Sequence, residues 1–202
     1  MAKITYIALH NTGGIGNDRL ATSHHLTASD IDRAHRDRWN MQSSLGHYGG
    51  YNFYIEKNGT LTQLRAIGEE TMAQRGYNFN CVSICLAGNF LVEKPTKEQE
   101  LRLKQLLLQL VTKDTRGIIV AEGVGLDISV ANINPHRHYQ TGTECNALPD
   151  TWGRSLLVEH IKQTIGLLAS YVVALQQLIG LLKLKKELRL AGDDKSCDGF
   201  IS

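Results

Sequence analysis

The chain has 202 residues, 42% apolar and 21% charged, long enough for one full hydrophobic core and too apolar for a disordered segment. Twenty-two Lys and Arg against 20 Asp and Glu leave a net charge of +2, which argues against a dedicated nucleic-acid binder. Four scattered cysteines (Cys81, Cys85, Cys145, Cys197) do not form the dense framework of a disulfide-stapled miniprotein.

The N-terminal run Met1–His10 enters an apolar strand pattern at once, with no signal-peptide core and small-residue cleavage site, so synthesis in a cytoplasm is expected. Ile4 to Leu9 reads as a buried strand stopped by Asn11-Thr-Gly-Gly14. Ser29-Asp30-Ile31-Asp32 is placed to cap a helix running through His35 to about Asn40. Alternating runs on either side of Asn58-Gly59, from Tyr51 to Lys57 and from Thr60 to Arg65, predict a β-hairpin. Cys81 to Ala87 reads as a second buried strand. Thr96 and Gln99 have the spacing of a capping box, and the helix they open carries Leu101, Leu103, Leu106, Leu107, Leu110 and Val111, largely on one face. Short strands are expected at Ile118–Ala121 and around Ile133. The predicted fold is α/β, a mixed central β-sheet flanked by helices, with a C-terminal helical extension. The expected organisation is a main domain of mixed composition over residues 1–155, a leucine-rich helix over 156–190 and a polar tail over 191–202.

Of the eight histidines, His24 and His25 lie in a polar stretch and read as surface residues, His35 as a packing or groove residue within a helix, His47 as part of a Gly-rich loop and His160 as lying near a helix start. His10 and His136 fall in more informative places. His10 ends a buried strand, where a side chain projects from a rigid edge. His136 follows Asn134-Pro135 and opens a loop reaching Cys145. Two imidazoles and a thiol are a ligand set that catalytic zinc favours, because a fourth tetrahedral position stays open for water. Spacing alone leaves two other readings of Cys145 open, a small buried residue or a nucleophile paired with His.

Several blocks in register carry a family resemblance. Ile7-Ala-Leu-His-Asn-Thr-Gly13, Gly50-Tyr-Asn-Phe-Tyr-Ile-Glu-Lys-Asn-Gly-Thr60, Gly76-Tyr-Asn78, Ser83-Ile-Cys-Leu-Ala-Gly-Asn-Phe90, His136-Arg137 and Thr143-Glu-Cys145 resemble, in order, the zinc-dependent N-acetylmuramoyl-L-alanine amidases, whose fold is shared by phage endolysins and peptidoglycan recognition proteins. The resemblance implies an endolysin that cleaves the bond between N-acetylmuramic acid and L-alanine with zinc-activated water. It implies His10, His136 and Cys145 as Zn2+ ligands, Tyr51 as the oxyanion-stabilising phenol and Thr143 as a second polar contact to the substrate, with a loop-capping role as the alternative for Thr143. Bacterial peptidoglycan is the expected partner, nucleic acid is not, and the chain is expected in the host cytoplasm until lysis, then at the cell wall. The alternative function is a noncatalytic recognition module. Asn52 stands where many relatives have His, Ala73 or Gln74 where a groove His is common, and no Pro-Gly follows Cys145. Glu56, five residues from Tyr51, would face the other side of a regular strand and reads as a surface residue.

Between residues 161 and 182, Ile161, Ile165, Leu168, Val172, Leu175, Ile179 and Leu182 recur at steps of four and three. Homo-oligomerisation through this segment, docking onto the catalytic domain and contact with a membrane surface are all compatible with the pattern. About 20 uncharged residues can just span a bilayer, but Gln163, Thr164, Ser170, Gln176 and Gln177 favour an interfacial helix over a span. Cys197 reads as a free thiol.

Overall fold

The computed structural model describes residues 2–14, 18–23, 25–140, 143, 145 and 147–193. The chain divides into two compact units, Met1–Val158 and Glu159–Ser202. His24, Cys197 and the tail from residue 194 lie outside the described residues.

The first unit is built on two sheets. The predicted N-terminal strand is split at Thr5 into β1 (Ala2–Ile4) and β2 (Tyr6–Asn11). Pairing explains the break: β1 joins β6 (Val124–Leu126) in a two-stranded parallel sheet, whereas β2 enters a five-stranded sheet. That larger sheet has the order β4-β3-β5-β2-β7, where β3 is Phe53–Ile55, β4 Leu61–Gln63, β5 Cys81–Leu86 and β7 Ile133–Pro135. Every pairing in it is parallel except the β3–β4 hairpin, so the sheet is mixed. The inner strands β2 and β5 are nearly continuous apolar runs because both of their faces are covered. Pro135, which has no N–H to donate, is tolerated because β7 lies at the sheet edge. Ile118–Ala121 forms no strand; only a single bridge joins Val120 to Ile67.

The hairpin turn runs from Glu56 to Gly59, with the Gly59 N–H donating to the Glu56 carbonyl at 2.9 Å. Gly59 takes φ +82°, a left-handed conformation that glycine adopts without penalty.

Helix α1 (Ala28–Trp39) is capped by Thr27 rather than by Ser29: Thr27 and Asp30 exchange side-chain and backbone hydrogen bonds in a capping box. Thr27 precedes the acidic cluster, and its hydroxyl accepts the Asp30 N–H, so the cap lies two residues before Ser29. Glu56 also serves this end, accepting the Ala28 N–H at 3.1 Å, so it is half-buried and engaged rather than a free surface residue. Helix α2 (Lys97–Thr112) starts at Thr96 with the capping box expected, and buries Leu103, Leu106, Leu107 and Leu110. A one-turn helix α3 (His136–Tyr139) follows β7 directly.

Helix α4 spans Trp152–Asp193, beginning before the expected boundary at 156 and continuing into the segment read as a polar tail. Its first turns belong to the first unit. Leu157 is fully buried there, and a Cβ at Gly153 would lie 2.5 Å from Leu9 Cδ1. A larger residue here would force the buried Leu9 side chain to shift, so the absence of a Cβ lets helix and sheet lie close at this point.

Candidate metal centre

Strand order decides which side chains meet. Because β2 and β7 are parallel neighbours with Leu9 opposite Pro135, their carboxyl ends coincide, and the next residue on each chain is a histidine. The rings of His10 and His136 lie 4.6 Å apart, although 126 positions separate them in the chain. Open parallel sheets bind ligands beyond the carboxyl ends of their strands, and these histidines occupy that edge. Cys145 is brought to the same point, its Sγ 3.5 Å from His10 Nδ1 and 3.6 Å from the Asn11 carbonyl oxygen. One ligand atom from each of His10, His136 and Cys145 lies within 4.8 Å of the other two. His136 therefore stands at a helix start rather than within an irregular loop.

The donors fit a cation. His136 Nε2 is 3.1 Å from Gln140 Oε1; the tautomer that donates to this oxygen leaves Nδ1, buried and without a partner among the described residues, with a lone pair for a metal. Gln140 was not picked out in the sequence; the signal was its position four residues after His136, which one helical turn brings alongside. His10 Nε2 is also buried without a hydrogen-bond partner among the described residues. Burial lowers the pKa of both imidazoles, with repulsion from His136 adding to the effect at His10, so both are neutral donors at pH 7. Burial pushes the Cys145 thiol up to about 11, partly offset by its hydrogen bond to Asn11. Such a thiol ligates only when a cation displaces its proton. The same facts weaken the nucleophile reading: among the described residues neither imidazole is oriented by a carboxylate, and the thiol stays protonated.

Tyr51 stands just before β3, its ring centroid 5.2 Å from that of His10. Burial and the neighbouring thiols of Cys85 and Cys145 raise its pKa, so the phenol is a neutral donor, and it hydrogen-bonds Cys85. Thr143 Oγ1 accepts the Cys145 N–H at 3.2 Å, the loop-capping role that was the alternative for this residue. Clefts open on both sides of the cluster. One of about 490 Å³ is lined by Trp39, Met72, Ala73, Arg75, His136 and Gln140. Another of about 210 Å³ is lined by Asn11, Gly13, Arg19, Asn89 and Cys145.

A family model described as N-acetylmuramoyl-L-alanine amidase matches residues 1–148. The chain belongs to this amidase family. Among solved structures it is similar to the N-acetylmuramoyl-L-alanine amidase LysC and the endolysin amidase LysCS, both from Clostridium intestinale URNW. Each is 25% identical with a TM-score of 0.55, over 77% of this chain and 86% and 84% of theirs. It also shares the fold of bumblebee PGRP-SA, at 20% identity and a TM-score of 0.51 over 70% of this chain and 74% of that one. No curated protein matches the sequence.

One departure from the amidase pattern, Asn52, has a local explanation. Asn52 is fully buried, its amide donating to the Ala66 carbonyl at 3.0 Å and accepting the Ser83 N–H at 2.9 Å, so it ties the hairpin to β5. Gln74 is buried with neither amide atom paired. Of the other described histidines, His47 Nδ1 lies 3.6 Å from Asp32, and the His138 ring packs edge-on against that of Tyr139.

His35 approaches the same cluster, its ring centroid 5.5 Å from that of Tyr51. Its Nδ1 accepts the Gly50 N–H at 2.7 Å, one residue before Tyr51, and its ring lies 4.5 Å from that of Trp39. Burial, helped by His25, Arg38 and Arg65, lowers its pKa to about 4. Between pH 6.5 and 4 the unfolded chain then binds more protons than the folded one, so stability falls as pH drops through that window, by at most about 1.4 kcal/mol per pH unit. In His35→Asn, which keeps an acceptor for Gly50, the difference in urea stability from the parent protein should narrow progressively as pH falls from 6.5 to 4. A constant difference across that window would contradict the assignment.

Proposed function

We propose that the protein hydrolyses peptidoglycan at the amide bond joining N-acetylmuramic acid to L-alanine, as an endolysin, with Zn2+ held by His10, His136 and Cys145. The observation that carries this reading is the convergence of two neutral imidazoles and a thiol at the carboxyl edge of the sheet, with His136 Nδ1 left free for a cation. Zinc, when bound, supplies a Lewis acid and brings the pKa of its water close to neutrality. The protein's own residues do the rest. Gln140 holds the His136 ring by its Nε2 proton. Thr143 fixes the backbone of Cys145. Tyr51 offers a phenolic donor to the oxyanion developing on the substrate carbonyl, without a change in its own charge. Glu56 is committed to the start of α1, so no role as general base is assigned to it.

The test is release of free L-alanine amino groups from purified cell wall, with and without a chelator. Release that stops on chelation and returns with added Zn2+ supports the reading. Wall binding without release at any metal concentration would instead identify a noncatalytic recognition module.

A further inference from the structure

Helix α4 has one stretch that the catalytic reading does not use. Residues 163–182 contain no charged side chain, and 20 helical residues extend about 30 Å, the thickness of a bilayer's hydrocarbon core. The helix is long and apolar enough to cross a membrane, and its large apolar side chains, among them Leu167, Leu168, Val172, Leu175, Leu178 and Leu182, are exposed. At 100° per residue these side chains, with Ile165, Ile179 and Leu181, cover roughly 200° of the circumference. A two-stranded coiled-coil seam occupies only two positions in seven, so most of this surface would stay wet in a soluble dimer. A helix lying in the headgroup plane needs a strongly charged face, and this stretch has none. Lipid covers every side at once.

The polar groups are distributed accordingly. The Ser170 hydroxyl lies 3.0 Å from the Gly166 carbonyl and the Thr164 hydroxyl 2.9 Å from that of His160, so both are satisfied within the helix. Gln176 and Gln177 share the small-residue side with Gly166, Ala169 and Gly180, the side suited to close contact with another helix in lipid. Charge returns only at the ends, with Lys162 before the stretch and exposed Lys183, Lys185 and Lys186 after it, matching the headgroups of an anionic bilayer.

We propose that residues 163–182 span a lipid bilayer and tether the chain to it. The test uses the full-length protein with vesicles of phosphatidylethanolamine and phosphatidylglycerol. Flotation with the vesicles should survive alkaline carbonate and about 1 M salt, where charge attraction is screened within ~3 Å. A Leu168→Arg/Val172→Arg variant should partition at least about tenfold less into the vesicles, because arginine is costly at mid-bilayer. A Lys183→Gln/Lys185→Gln/Lys186→Gln variant should still float. Near-ultraviolet circular dichroism checks that the first unit stays folded in each variant. Stripping by salt, or loss of flotation in the lysine variant alone, would overturn the proposal in favour of surface attachment. A soluble oligomer of defined mass that does not float would overturn it in favour of self-association. None of these readouts depends on wall hydrolysis, so this proposal and the amidase reading can fail separately.

Discussion

Replacing Cys145 by Ser is expected to remove bound zinc and to lower wall hydrolysis by at least about a hundredfold, while the protein stays folded. The expectation follows from the donor set. Sγ lies 3.5 Å from His10 Nδ1, and a hydroxyl is a far poorer zinc ligand than a thiolate. Loss of a residue that merely orients a ligand costs about 10–100-fold in metal affinity or activity, so loss of the ligand itself should cost no less. Stability should change little in the metal-free state, because Cys145 donates only long bonds and its N–H remains held by Thr143. Metal content by emission spectroscopy and hydrolysis of purified wall give the two readouts. A variant with full zinc and full activity would show that the three side chains meet for another reason.

The second large effect concerns Arg65, a buried guanidinium 1% exposed. It donates to three carbonyls: Gly49 at 2.7 Å, Glu70 at 3.3 Å, and Met41. These hold together the segment leading from α1 to Tyr51 and the segment that follows β4. Arg65→Met keeps much of the volume but strands the buried Gly49 acceptor, at about 1–3 kcal/mol, and leaves two part-buried carbonyls to water, so a total loss of roughly 2–4 kcal/mol is expected. In a unit of this size that corresponds to a fall in Tm on the order of 10 °C. Arg65→Lys should recover only part of it, since an ammonium cannot reproduce the planar fork. Urea and thermal unfolding measure both variants. A loss below about 1 kcal/mol in Arg65→Met would mean that the carbonyls find other partners or water.

Much of the local structure was legible in the sequence. Thr96 and Gln99 marked the start of α2, Asn58-Gly59 marked the hairpin, and the apolar run at Cys81 marked β5. These signals depend on neighbours within a few residues. Reading failed where a distant partner decides the outcome. Thr5 looks like the middle of one strand, but β1 and β2 pair with different sheets. Val124–Leu126 is short and flanked by glycine, and becomes a strand only because β1 lies beside it. Arg65 passed unremarked, because a buried cation becomes visible only once the three carbonyls around it are in place.

The sequence by itself determined the kinds of atom available to the candidate centre, the helix caps, and the charge-free apolar stretch in α4, since composition and short-range spacing express all of these. The tertiary structure alone decided that His10 and His136 are neighbours. Strand order and parallel register set that contact, and neither is encoded in any local period: the residues that determine it lie on β2 and β7, more than a hundred positions apart.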